Sequence, residues 1–319
     1  MYNNELKTKF VRNYTQSLSV AKLCETIFNK VGQYEEKWNA DICTRTAEEL
    51  QPMIDSIVGF RSRSKWSTLI ILKDYVKWCI GNNIPNACDG MLKINTVGLD
   101  NVKTQMVSIP KHLQKYLNEI YDPESDCSTD NIYRCFFWLA YSGMKEEDIL
   151  DVKCEDVDLA TLTVHYNGKD YEIYREAIPA FKNCVELGSF VYNHPLYSAN
   201  RTVWKPRADG NTLVRGIRST SSLKSMRMTL SRKAKEAIDN GRTTQRLSYY
   251  RVYLSGLFYR MYEREKSGEP VDFTQDALEF MEGREYQFEK GCKNEIIKRR
   301  EIAKDYLEDY QRWKLAFFL

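Results

Sequence analysis

Cationic side chains carry most of the chemistry that this sequence suggests. Between Arg201 and Arg264 stand 15 Lys and Arg against four acids (Asp209, Glu236, Asp239 and Glu263), a net of +11 in a chain whose total is +3. Guanidinium groups bind phosphate oxygens in pairs through a planar fork, so such a stretch points to a polyanionic partner. A solvated charged face is the plain alternative. The cations singled out for contact are Arg215, Arg218, Lys224, Arg227, Arg232, Arg246 and Arg251. Arg251 also has tyrosines around it in sequence (Tyr249, Tyr250, Tyr253 and Tyr259), so stacking on an aromatic ring is its second reading. Arg61, Arg63 and Lys65 form another basic group, in the segment FRSRSKWS between two predicted helices, where side chains and terminal N–H groups can meet phosphates. Nothing suggests a metal or cofactor. The histidines (His112, His165 and His194) are dispersed, and Asp148, Asp156 and Asp158 read as caps or braces rather than ligands.

These residues need a scaffold, and 319 residues with 43% hydrophobic and 13% aromatic content suit two folded domains. No signal-like apolar run opens the chain and no stretch of about 18 apolar residues follows, so a soluble cytoplasmic protein is expected. Nine scattered cysteines without a C-x-x-C pair read as reduced, mostly buried thiols. Residues 1–94 read as a helical domain. Thr46 and Glu49 form a capping box, and Trp66, Leu69, Ile70, Leu72, Tyr75, Val76 and Ile80 supply a broad apolar helix face. Residues 95–110 read as a linker and 111–319 as a second domain. In that domain IYRCFFWLAY should be a buried helix and TLTVHYNGKDYEIY a β-hairpin turning at Asn167-Gly168. Helical patterns return over about 222–240, 247–266, 274–283 and 294–313.

The segment YSGMKEEDILDVKCEDVDL, from Tyr141 to Leu159, resembles the first catalytic box of the tyrosine recombinase (phage integrase) family. Ser142-Gly143-Met144 match its turn, Asp148 its acidic position, Leu150 and Val152 its apolar ones, and Asp156 and Asp158 its closing acids. Lys145 stands at the arginine position. Lys169, beside the hairpin turn, fits the family's active-site lysine. Ser248-Tyr249-Tyr250-Arg251 aligns with the second box, keeping its arginine as Arg251 and replacing its histidine with Ser248. The third box aligns at Met281-Glu282-Gly283-Arg284 and puts Lys293 near the position of the nucleophilic tyrosine.

The resemblance implies a mainly α, two-domain architecture with a small sheet: a helical core-binding domain followed by a catalytic-type domain. It implies double-stranded DNA as partner, bound by the chain alone or as a homo-oligomer at the nucleoid. Cleavage by this family needs a tyrosine in line with the phosphate and two arginines clamping it. Tyr286 comes early for that position, Tyr306 and Tyr310 late, and Lys145 has no planar fork. The expectation is a recombinase-like DNA-binding protein without strand cleavage, similar to the integrase-like master repressors of SPβ-group phages. An active or trans-acting recombinase is the alternative.

Overall fold

The computed structural model describes residues 1–59, 61–95, 97–121, 128–188, 190–193, 201–204, 211–214, 223–271 and 295–319. They form two units, one holding residues 1–102 and the C-terminal segment, the other residues 103–271. The architecture is mainly α with two small antiparallel sheets.

Unit 1 contains α1 (Asn4–Tyr14), α2 (Leu18–Trp38), α3 (Ala47–Ile57), α4 (Ser62–Gly81) and the short α5 (Gly90–Lys93). The capping box starts α3: Thr46 Oγ1 accepts from Glu49 N at 3.4 Å and Glu49 Oε2 from Thr46 N at 3.0 Å. Phe10, Phe28 and Tyr75 meet edge to face, with centroids 5.1 to 6.0 Å apart, and Ile27, Val31, Leu50, Ile54, Leu72 and Val76 complete the core. The apolar face of α4 is narrower than its sequence suggests. Leu69, Leu72, Tyr75 and Val76 are buried, whereas Trp66, Ile70 and Ile80 are 49%, 50% and 38% exposed. Ile71 and Cys79 take the remaining core positions, because the core covers only part of the helix circumference.

Charge is enclosed in the same core. Lys7 and Glu35 are fully buried and paired, Asp41 lies 3.8 Å from Lys7 Nζ, and Tyr75 donates to Asp41 at 2.8 Å. Lys7 Nζ also donates to Tyr2 O at 2.9 Å, and the Ile42 N–H to Glu35 at 3.0 Å.

The C-terminal helix, which we number α13 (Glu295–Phe317), departs from the expected division at 111–319, because it clusters with unit 1. The reason is polar as well as apolar. Asp309 accepts from the backbone N–H of Ser62 at 2.6 Å and pairs with Arg61 at 2.5 Å, while Glu308 lies 3.3 Å from Lys65. Tyr306, Tyr310 and Trp313 of this helix are buried. The expected linker 95–110 contains a short helix, α6 (Asp100–Gln105).

Unit 2 contains α7 (Pro110–Ile120), α8 (Ser128–Tyr141), α9 (Glu146–Ile149), α10 (Ile178–Val185), α11 (Leu223–Asp239) and α12 (Tyr249–Ser267). Helix α8 is the buried IYRCFFWLAY element, and it packs on α12 and α10. Helices α8 and α12 approach so closely that a Cβ on Gly256 would lie 1.8 Å from Tyr141 O. The hairpin forms as β2 (Thr163–Tyr166) and β3 (Lys169–Glu172), with Val164 opposite Tyr171 and both Asn167 and Gly168 at positive φ. A third strand, β1 (Val157–Asp158), joins β2, and a second hairpin pairs β4 (Phe190–Asn193) with β5 (Arg201–Trp204). Neither addition is signalled by an alternating pattern long enough to read. The predicted helix at 274–283 lies outside the described residues.

Seven described cysteines are free, and Cys24, Cys43, Cys79, Cys135 and Cys184 are buried like small apolar residues. Among the described residues no helix is long and apolar enough to cross a membrane, and no cluster of ligand-type side chains could hold a metal ion.

Candidate nucleic-acid interface

In unit 2 the start of α12 opens on a cavity of about 300 Å³, lined by Arg227, Leu230, Ser231, Arg246, Leu247, Ser248, Tyr249 and Arg251. Two helices and the turn between them build it. Helix α11 contributes Arg227 and Ser231, and Arg246 to Ser248 form the extended lead into α12. That lead is pinned from both sides: Arg246 N donates to Thr104 O at 3.3 Å and Leu247 N to the Tyr116 hydroxyl at 3.1 Å. Ser248 is the exposed N-cap residue of α12, without a side-chain cap bond, so the helix start faces the same space.

Three guanidinium groups thus share one concavity. Arg251 is half-buried, and burial, then the charge of Arg246, push its pKa down, with Tyr116 opposing. It donates to Arg246 O. Arg246 reaches Ser231 Oγ at 3.4 Å. Arg227 is oriented by Glu146, whose two carboxylate oxygens accept from its Nε at 2.9 and 3.1 Å. A tetrahedral oxyanion in this cavity would relieve the mutual repulsion of Arg246 and Arg251 and accept from N–H and hydroxyl donors together.

The first-box segment lies beside the cavity. Gly143 takes a φ of 98°, a conformation that favours glycine, and the end of the Arg260 side chain lies over it, 2.6 Å from where a Cβ would stand. Tyr249 donates to Met144 O at 2.8 Å, and Glu146 holds Arg227, which brackets Lys145 between two residues touching the cavity wall. Lys145 is the N-cap residue of α9. Lys169 is exposed at the start of β3, and both lysines act on Asp148, whose carboxyl burial and Glu147 push upward. Asp156 and Asp158 are braces, accepting from Lys153 N at 2.7 Å and Ala160 N at 2.8 Å.

Lys224 and Arg232 are exposed on α11. Arg61 and Lys65, read from sequence as a basic loop, are instead at the start of α4 and engaged by Asp309 and Glu308. Arg61 also stacks on the Tyr306 ring at 4.6 Å. The side chain of Arg63, and all of Arg215, Arg218, Arg284 and Lys293, lie outside the described residues. Sequence reading missed Glu146 as the residue orienting Arg227, and Ser231, which shares one side of α11 with Arg227. The i to i+4 spacing of Arg227 and Ser231 was the available signal.

Residues 1–81 match the family described as "MrpR, N-terminal core-binding domain". The core-binding match covers about a quarter of the chain and ends at the last residue of α4. No curated protein matches the chain. Solved structures similar to it include XerA recombinase, at 15% identity over 86% of this chain and 87% of that one, with a TM-score of 0.37. The integrase from mycobacterium phage Brujita is 14% identical over 98% of this chain and 91% of that one, with a TM-score of 0.31.

Proposed function

We propose that this chain binds double-stranded DNA and acts as a transcriptional repressor without cutting the strand. The observation that carries the reading is the cavity walled by Arg227, Arg246 and Arg251 at the start of α12, which suits a backbone phosphate. The core-binding match of residues 1–81 supports a second DNA-binding body in the same chain. Three features favour a non-cleaving protein. Ser248 lines the cavity where the resembling family has a histidine, and a hydroxyl does not exchange protons near neutral pH as imidazole does. Lys145 replaces a planar fork with a point charge. Tyr306 and Tyr310 are 0% and 1% exposed, packed within the helix that meets α4. On this reading the protein works in the host cytoplasm at the nucleoid, on a promoter or operator element.

Affinity for duplex DNA should fall steeply as salt rises from low to physiological strength, since phosphate contacts release counterions. A flat salt response sinks the DNA reading. Nicked duplexes carrying the protein's own footprinted site should yield no covalent adduct on denaturing electrophoresis. An adduct that disappears in Tyr286→Phe, Tyr306→Phe or Tyr310→Phe would instead identify a recombinase and its nucleophile. For the cavity itself, Arg251→Ala should weaken duplex binding by roughly 1 to 3 kcal/mol with the fold intact, as expected for one charged hydrogen-bonded contact. Unchanged affinity in a normally melting Arg251→Ala protein would remove this arginine from the interface.

A further inference from the structure

Helix α11 has one face in the core and one in solvent. Met226, Leu230, Ala234 and Ala237 are 6% exposed or less, at the spacing of a single helical stripe. The opposite stripe holds Lys224, Arg227, Met228, Ser231, Arg232 and Lys235, all exposed. No acid occurs from Lys224 through Lys235. At its centre Met228 is 65% exposed, one turn after Lys224 and one turn before Arg232. The unbranched Met228 thioether stands largely in water amid four cations, away from the core packing on the other side of the helix. Arg227 and Ser231 belong to this stripe and also to the wall of the cavity. A DNA strand with a phosphate in that cavity therefore passes alongside the stripe.

We infer that α11 lies in the DNA major groove with Met228 against thymine C5-methyl groups and its flanking cations on the phosphates. The inference rests on the DNA-binding reading and deepens it by naming the residue that senses base identity. The dimensions agree: a helix with its side chains is about 10 to 12 Å across and the groove about 12 Å wide. Thymine's methyl is the apolar group on the groove floor, and methionine can adapt to it. An anionic membrane also rewards cations around an apolar group, but an interfacial helix needs a continuous apolar face, and this one offers a single methionine.

The test uses the full chain and a duplex enriched from a random-sequence pool by the wild-type protein. Each protected thymidine is then replaced by deoxyuridine, which removes only the methyl. Wild type should bind the deoxyuridine duplex about three- to tenfold more weakly per contacted methyl. Met228→Ala should bind the thymidine duplex more weakly by a similar factor and no longer distinguish the two. Alanine at an exposed helical position keeps the fold, so lost discrimination would not be an unfolding artefact. Equal wild-type affinity for both duplexes, or full discrimination by Met228→Ala, overturns the inference while salt-steep duplex binding keeps the DNA reading alive. Absence of binding to any duplex ends both. Binding of wild type to phosphatidylglycerol vesicles that Met228→Ala abolishes would assign the stripe to a membrane instead.

Discussion

Replacing Lys7 with Met should cost unit 1 about 3 to 5 kcal/mol, most of it above neutral pH, because the change strands Glu35 and Asp41 in a dry core. Burial raises the Glu35 carboxyl to about 7, with Lys7 opposing and Asp41 adding to the rise. The folded unit therefore holds a proton between about 4.5 and about 7 that the unfolded chain has released. Stability from this group is greatest at the acidic end of that window and is lost as pH rises through 7, a swing of about 3 kcal/mol. Without Lys7 the carboxylate becomes costlier still, so the variant's deficit should be larger at pH 8 than at pH 5.5. Urea unfolding at both values, read as variant minus wild type, measures it. Equal deficits would mean that Lys7 contributes packing rather than charge.

Gly256→Ala should destabilise unit 2 by more than about 3 kcal/mol, beyond ordinary overpacking, since the new methyl would stand 1.8 Å from Tyr141 O and 2.6 Å from its carbonyl carbon. Neither neighbour is a flexible side-chain end. Tyr141 is fully buried, its hydroxyl donates to Ser108 O at 2.9 Å, and its carbonyl accepts from Arg260 at 2.5 Å. Pushing α8 from α12 should also shift the chain from Gly143 to Glu146, and on the proposed DNA-binding reading duplex affinity should fall with the melting temperature. Gly81→Ala, in open space near the end of α4, is the matched control and should be neutral or slightly stabilising. A Gly256→Ala protein that melts like wild type would show that the two helices can separate freely.

Local signals in the chain translated well where they depend on near neighbours. The Thr46–Glu49 box, the Asn167-Gly168 turn and the apolar run from Ile132 to Tyr141 each encode their element within a few residues. What escaped was long-range. Nothing near Arg61 in sequence announces that Asp309 will take it, or that the polar-looking opening MYNNELKTKF hides Lys7 inside a core. For the candidate site, Arg227, Arg246 and Arg251 were legible as cations, and the structure draws them into one cavity. Met228 was not legible, because a methionine on a helix is ordinarily read as core until the opposite face is seen to be buried.

The contact between Ser62 and Asp309 spans 247 residues. A ribosome adding roughly 5 to 20 residues per second needs on the order of 10 to 50 seconds to make that interval. Throughout it the nascent chain displays the basic start of α4 without its acidic partner, while every residue of unit 2 is synthesised. Unit 2 can thus reach its final form before unit 1, although residues 1–102, which precede it, belong to unit 1.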